Sequence, residues 1–213
     1  EAIPINAGCL RPISIILPKN SMLNPIYPAA VVAGNVEVSQ AIADCIFLAL
    51  NVMANAQGTM NNLNFGNDSF QYYETICGGA GAGNGFNGSD AVHTHMTNTR
   101  LTDPEVLETR YPVLLKLFKI KRGSGGNGKW RGGDGIERQI TCLEKMDVSI
   151  LSGRRIVAPQ GLNGGSNGLT GKNMLLLQNG NYEELPGSAQ FECHPSETII
   201  IETPSGGGYG KPN

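Results

Sequence analysis

Apolar positions fall into one long block and many short ones. The long block, residues 36–53, is interrupted by Glu37, Gln40 and Asp44. Asn35 suits a helix N-cap and Glu37 the first turn, so the block predicts one long helix near residues 36–54. Its apolar side chains cover most of the circumference, which predicts burial on nearly all sides. Short runs rich in β-forming residues predict strands at 13–17, 59–65, 70–77, 91–97, 113–121, 136–143, 148–151, 174–178, 190–193 and 198–202. Thr102-Asp-Pro-Glu105 has the form of a capping box with proline in the first turn, so a short helix starts there and ends before Pro112. The fold class that follows is α+β and β-rich, with mixed or antiparallel sheets.

Composition sharpens this picture. The 29 glycines among 213 residues are roughly twice the usual usage of about 7%. They cluster without a period, which implies tight turns and close backbone approaches, not a collagen-like repeat. A net charge of −2 favours neither nucleic acid nor an anionic membrane as partner. No apolar run of ~18 residues predicts a membrane span, and no signal peptide is visible. Cys9, Cys45, Cys77, Cys142 and Cys193 contain no CxxC pair, so free thiols in a reducing, cytoplasmic setting are expected. The chain opens at Glu1 on Ile3-Pro4-Ile5-Asn6, which reads as the middle of a longer polypeptide.

Two nucleotide-like motifs fail on chemistry. Gly123-Ser-Gly-Gly-Asn-Gly128-Lys129 places Trp130 where a phosphate loop needs Ser or Thr, and Gly83-Asn-Gly85-Phe-Asn-Gly88 has no helix after it to receive a pyrophosphate. More informative is His93-Thr-His95. On a strand, residues two apart face one side, so both imidazoles would enter one space as ligands for a divalent metal, or as a ligand beside a general base. Hydrogen-bonded loop histidines are the competing reading. Asn98, Arg100 and Asp103 follow at a strand end and helix start, where Arg100 could fork a carboxylate; a self-capped turn is the alternative. Gln57, Asn61 and Asn62 could orient an amide, or satisfy a turn. Glu74 on an aromatic strand would have a raised pKa unless paired, and a salt bridge to Arg100 or Arg110 is its alternative. Gly78, Gly79 and Gly81 could offer N–H groups to an oxyanion.

These motifs occur in one order: Pro28-Ala-Ala-Val-Val-Ala-Gly-Asn-Val-Glu-Val-Ser-Gln40, Gln57-Gly-Thr-Met-Asn-Asn62, Tyr73-Glu-Thr-Ile-Cys-Gly-Gly79, His93-Thr-His-Met-Thr-Asn-Thr-Arg-Leu-Thr-Asp-Pro-Glu105, Trp130-Arg-Gly-Gly-Asp-Gly135 and Glu202-Thr-Pro-Ser-Gly-Gly-Gly-Tyr-Gly210. In that order they resemble the hydantoinase B family, in particular its 5-oxoprolinase branch. The resemblance implies that residues 1–213 are the C-terminal segment of a hydantoinase B-type domain whose N-terminal segment is absent. It implies an ATP-dependent amidohydrolase that opens a small cyclic amide, 5-oxoproline to glutamate, in glutathione metabolism. ATP and Mg would be bound by a hydantoinase A-type half, in an oligomer. The residues read above give the expected catalytic set Glu74, His93, His95 and Asp103, with substrate held by Gln57, Asn61, Asn62, Asn98 and Arg100. An N-methylhydantoinase or acetone carboxylase-like subunit fragment, or a non-catalytic scaffold domain, are the alternatives. The chain alone is expected to be inactive.

Overall fold

The computed structural model divides the chain into two units, residues 1–32 and 33–213. It describes residues 6–31 and 34–212. The first unit holds a short 3-10 turn, Ala7–Leu10, with the Asn6 side chain accepting from the Gly8 N–H at 2.8 Å. Residues 13–17 form no strand there. Among the described residues of that unit no neighbouring strand supplies a ladder, and Ile13, Ile15, Ile16 and Leu17 are exposed.

The described residues of the second unit carry nine strands and two α-helices. Asn62–Gly66 (β1), Gln71–Thr75 (β2), Met146–Leu151 (β5) and Ser188–Cys193 (β8) form a four-stranded antiparallel sheet in the order β2-β1-β5-β8. Val113–Ile120 (β3), Ile136–Cys142 (β4), Lys172–Leu176 (β6), Tyr182–Leu185 (β7) and Thr198–Glu202 (β9) form a five-stranded antiparallel sheet in the order β3-β4-β9-β6-β7. The strand β7 was not predicted. It is an edge strand with three of its four residues exposed, so its sequence lacks an apolar alternation.

One apolar cluster joins the two sheets. Leu63 and Phe65 of β1 and Val148 and Ile150 of β5 meet Ile136 and Ile140 of β4 and Ile199 and Ile201 of β9. The period-two pattern of β4 also turns Arg138 onto the core face. There it grips Glu74 of β2 with two bonds, Nε to Oε1 at 2.8 Å and Nη2 to Oε2 at 2.9 Å. The Tyr72 hydroxyl donates to the same carboxylate at 2.9 Å. This buried pair crosses from one sheet to the other.

The predicted long helix is shorter and inside out. A π-helical turn, Gly34–Val38, runs into Ser39–Ala49 (α1). Its buried residues are Gln40 and Asp44, whereas Ile42, Cys45, Ile46 and the following Leu50 are exposed. Pro104–Arg110 (α2) forms as predicted, but Asp103 caps it by accepting from the Glu105 N–H at 3.2 Å. Residues 91–97 form no strand. Val92 makes an isolated bridge to Gly78, and His95 sits in left-handed backbone at φ 55°.

Glycine segments run backbone against backbone between these elements. A Cβ on Gly206 would meet the Ala80 carbonyl oxygen at 1.8 Å, and one on Gly79 the Gly133 oxygen at 2.0 Å, so no side chain fits at either position. The Gly123 and Gly125 N–H groups, which a phosphate loop would offer to a nucleotide, donate instead to the Asp134 carboxylate at 3.0 and 2.7 Å. Burial alone would push Asp134 up, but those N–H groups and Arg131 hold it below the usual carboxylate range.

The cross-sheet pair yields a stability test. Glu74→Ala strands the Arg138 guanidinium in the core and is expected to cost ~3–5 kcal/mol in urea unfolding, with much of the loss recovered in the Glu74→Leu, Arg138→Met double variant.

Candidate active site

The polar residues of α1 define the site. Gln40 and Asp44 lie four residues apart, on one helix face. The Asp44 carboxylate is fully enclosed and fully used. Its Oδ1 accepts from the Ala56 N–H at 3.0 Å and faces His95 Nε2 at 3.0 Å, and its Oδ2 accepts from Arg154 Nη2 at 3.1 Å. An ionised carboxylate only accepts, so Nε2 carries the proton, which leaves Nδ1 with a lone pair in the neutral imidazole. Phe47, one turn along the same helix, packs on the His95 ring at a centroid distance of 5.6 Å. Gln40 donates to Thr97 Oγ1 at 2.5 Å and to the Thr94 carbonyl at 3.2 Å, which ties the histidine loop to α1. Gly58, at φ 63°, leaves room for the ion pair: a Cβ there would meet Arg154 Nε at 2.7 Å and Asp44 Oδ2 at 2.9 Å.

A second network centres on Glu37 and Arg155. Glu37 Oε1 accepts from Asn62 Nδ2 at 2.8 Å, the Met60 N–H at 3.0 Å and Thr59 Oγ1 at 3.1 Å. Burial nonetheless raises its pKa above the ordinary carboxylate value, against the lowering effect of those donors and of Arg155. Arg155 donates to Asn61 Oδ1 at 2.7 Å, the Gly153 carbonyl at 2.8 Å and Asn173 Oδ1 at 2.7 and 3.2 Å. Asn61, His95 and Arg154 all adopt left-handed backbone, with φ of 47°, 55° and 56°. Such strain persists only where surrounding contacts over-determine it, and here three instances fall in connected networks.

Four buried polar atoms have no partner among the described residues: Gln40 Oε1, Gln57 Nε2, His93 Nδ1 and Thr94 Oγ1. Gln57 Oε1 accepts from Asn61 at 3.0 Å, so its free amide nitrogen is a donor, whereas Gln40 Oε1 is an acceptor. Both glutamines pack around the segment that carries the histidines, Gln40 through Thr94 and Thr97, Gln57 through Gly78, which bridges Val92.

The structure gathers some of the residues expected at the site and disperses others. Gln57, Asn61, Asn62 and His95 lie in the connected polar networks. Glu74 does not: it is committed to Arg138 and Tyr72 in the core, and the expected salt-bridge partners Arg100 and Arg110 play no part. Asn98 and Arg100 are exposed and make no bond among the described residues, and Asp103 is spent as the α2 cap. Nor do the glycines form an oxyanion loop. The Gly78 and Gly79 N–H groups donate to the carbonyls of Val92 at 3.3 Å and Pro204 at 3.1 Å, and a Cβ on Gly81 would meet the Ala54 oxygen at 1.9 Å. A single collective hollow around His95, Asn98 and Glu74 is therefore not formed.

The paired-histidine metal site also fails. Its geometry required a strand, and residues 93–95 are not one. His95 Nε2 is held by Asp44, His93 Nδ1 is buried without a partner, and no group of three or more His, Cys, Asp and Glu among the described residues could hold a metal ion. This donor set does not fit a divalent cation.

Glu37, Asp44, Arg154 and Arg155 were missed as site residues. A signal existed for the first two. Glu37, Gln40 and Asp44 are spaced i, i+3, i+7, which is a polar stripe on an otherwise apolar helix. Arg154 and Arg155 carry no local signal, because their partners stand roughly a hundred residues earlier in the chain, at Asp44 and Asn61.

Residues 1–212 match the family profile described as Hydantoinase B/oxoprolinase. The chain is 51% identical over 209 residues to a protein named 5-oxoprolinase from Dictyostelium discoideum and 50% identical over 208 residues to 5-oxoprolinase 1 from Arabidopsis thaliana. Each alignment covers 98% of this chain and 16% of the relative, so the chain spans about a sixth of the length of either. Among solved structures, the ATP-dependent caprolactamase from Pseudomonas jessenii superposes with a TM-score of 0.83 at 25% identity, over 99% of this chain and 40% of that one.

Burial of His93 makes a pH prediction. Desolvation lowers its pKa below the ordinary 6.5, so the fold favours the neutral ring. That contribution is complete above about pH 6.5 and is lost as pH falls through the lowered folded value. Thermal melts in acid should show the wild type losing stability faster than His93→Gln; parallel loss in both would contradict the assignment.

Proposed function

The chain belongs to the hydantoinase B/oxoprolinase family, and from that premise we propose that it is part of a cytosolic, ATP-dependent amidohydrolase that opens 5-oxoproline to glutamate. The observation that carries this reading is about 50% identity, along 98% of the chain, to relatives named 5-oxoprolinase. The reading places the chain in glutathione metabolism and makes it one component of an assembly. ATP and Mg would be held by a hydantoinase A-type half and would supply the phosphoryl group that activates the amide oxygen. One water then adds to the ring carbon and the ring C–N bond breaks to leave an amine and an acyl phosphate, and a second water cleaves that acyl phosphate to the carboxylate and inorganic phosphate.

In this scheme His95 is the proton acceptor. Asp44 holds its Nε2–H, so Nδ1 is the basic nitrogen presented to the attacking water. The unpartnered donor Gln57 Nε2 and acceptor Gln40 Oε1 match the carbonyl and N–H of a ring amide. The exposed apolar face of α1, with Ile42, Ile46 and Leu50, supports contact with the preceding hydantoinase B segment or the partner half, since such a stripe is otherwise an unexplained apolar surface.

Two measurements test the proposal. The 213-residue chain by itself is expected not to turn over 5-oxoproline with ATP. In the assembled enzyme, His95→Gln is expected to lower kcat by about 10²–10⁴ with subunit assembly intact. Wild-type-like turnover would remove His95 from the chemistry, and loss of assembly would make this region a scaffold.

A further inference from the structure

Residues 13–17 have the composition of a strand and no sheet to join. Pro12 and Pro18 bracket the run Ile13-Ser-Ile-Ile-Leu17. Its apolar side chains are open to solvent, with Ile15 74% and Ile16 90% exposed. The N–H groups of Ser14, Ile15, Ile16 and Leu17 make no hydrogen bond among the described residues. Open backbone groups and bare apolar side chains together are what an unpaired strand presents, and a run left in that state promotes aggregation.

The run also specifies its host. Side chains alternate along a strand, so Ile13, Ile15 and Leu17 would face one side and Ser14 and Ile16 the other. Both sides carry apolar groups, the pattern of a strand in a sheet covered on both faces. Neither sheet of this chain offers such an edge. The four-stranded sheet ends at β2 and β8, where Gln71, Tyr73, Ser188, Gln190 and Glu192 are exposed. Added to either edge in a second copy, the run would leave Ile16, or Ile13, Ile15 and Leu17, on that polar outer face. The five-stranded sheet ends at β3, with Lys116 and Lys119 exposed, and at β7, with Glu183 and Glu184 exposed. Charged edges of this kind resist strand addition.

We infer that residues 13–17 form an inner strand of a sheet in the hydantoinase B segment that the functional proposal places before this chain, and the inference rests on that proposal. The chain spans 16% of the length of its 5-oxoprolinase relatives, which leaves ample polypeptide to hold such a sheet. A five-residue strand is a weak ligand by itself. Joined covalently to its host, it docks as an intramolecular step at high effective concentration, which favours the adjoining segment over a separate subunit or a second copy.

Hydrogen–deuterium exchange of the assembled enzyme, read residue by residue, tests the strand. An inner strand bonds on both sides, so all four N–H groups from Ser14 to Leu17 should exchange about a hundredfold or more slower than in the free peptide. Protection of alternate N–H groups alone marks an edge strand and overturns the inner position; exchange at the free-peptide rate overturns the strand. Ile15→Asp and Ile16→Asp probe one face each, and each is expected to abolish the protection. Wild-type protection in either variant overturns burial of that face. A photoreactive diazirine analogue incorporated in place of leucine identifies the host. Cross-links from Leu17 are expected to reach the preceding hydantoinase B segment, and cross-links to the hydantoinase A-type half or to residues 1–213 of a second copy overturn the assignment. Turnover of 5-oxoproline by the same preparation tests the functional proposal separately, because exchange and cross-links are read whether or not the lactam opens.

Discussion

A single enclosed carboxylate organises this part of the fold. Asp44 is fixed on α1, and its two oxygens take a backbone N–H from the loop before β1, an imidazole from the 92–97 segment and a guanidinium from the loop after β5. Four stretches distant in sequence thus converge on one charge. A buried carboxylate is costly unless its acceptor capacity is filled, and every partner here fills part of it. That requirement explains the strained backbone at His95 and Arg154: the local cost is of order 1–3 kcal/mol each, and the shared charge holds both residues in place.

The same constraint explains why α1 points its polar side inward. A helix with Ile42, Ile46 and Leu50 facing out and Gln40 and Asp44 facing in reverses the usual partition. The interior it packs against is the polar shell, whereas the apolar core lies between the sheets, around Ile136, Ile140 and Ile199. The unit therefore has two interiors. One is apolar and is crossed by the Glu74–Arg138 pair; the other is polar and holds buried donors and acceptors at Gln40, Gln57, His93 and Thr94 that have no partner among the described residues. We propose the second as the chemical site, because unsatisfied buried groups are disfavoured in purely structural cores.

The legible parts of the fold are those set by local pattern. The strands β3, β4 and β9 follow from alternation and β-branched content, and α2 from its cap and proline. What was not legible depended on distant partners. Residues 91–97 have strand-like composition, but Gly78 bridges only Val92, and the rest bends to bring His95 onto Asp44. Glu74 reads as a reactive carboxylate until Arg138, sixty-four residues later, is placed beside it. His95, Gln57, Asn61 and Asn62 were recognisable as polar residues beside apolar segments. Arg154 and Arg155 were not, since a pair of arginines in a loop carries no pattern until its acceptors are known.

We propose that Asp44 acts through His95. A double-mutant cycle on kcat in the assembled enzyme, with Asp44→Asn, His95→Gln and the two combined, measures this directly. If the carboxylate serves to orient the imidazole, the combined variant should be no slower than His95→Gln alone. Losses that multiply would show two independent contributions and contradict the account.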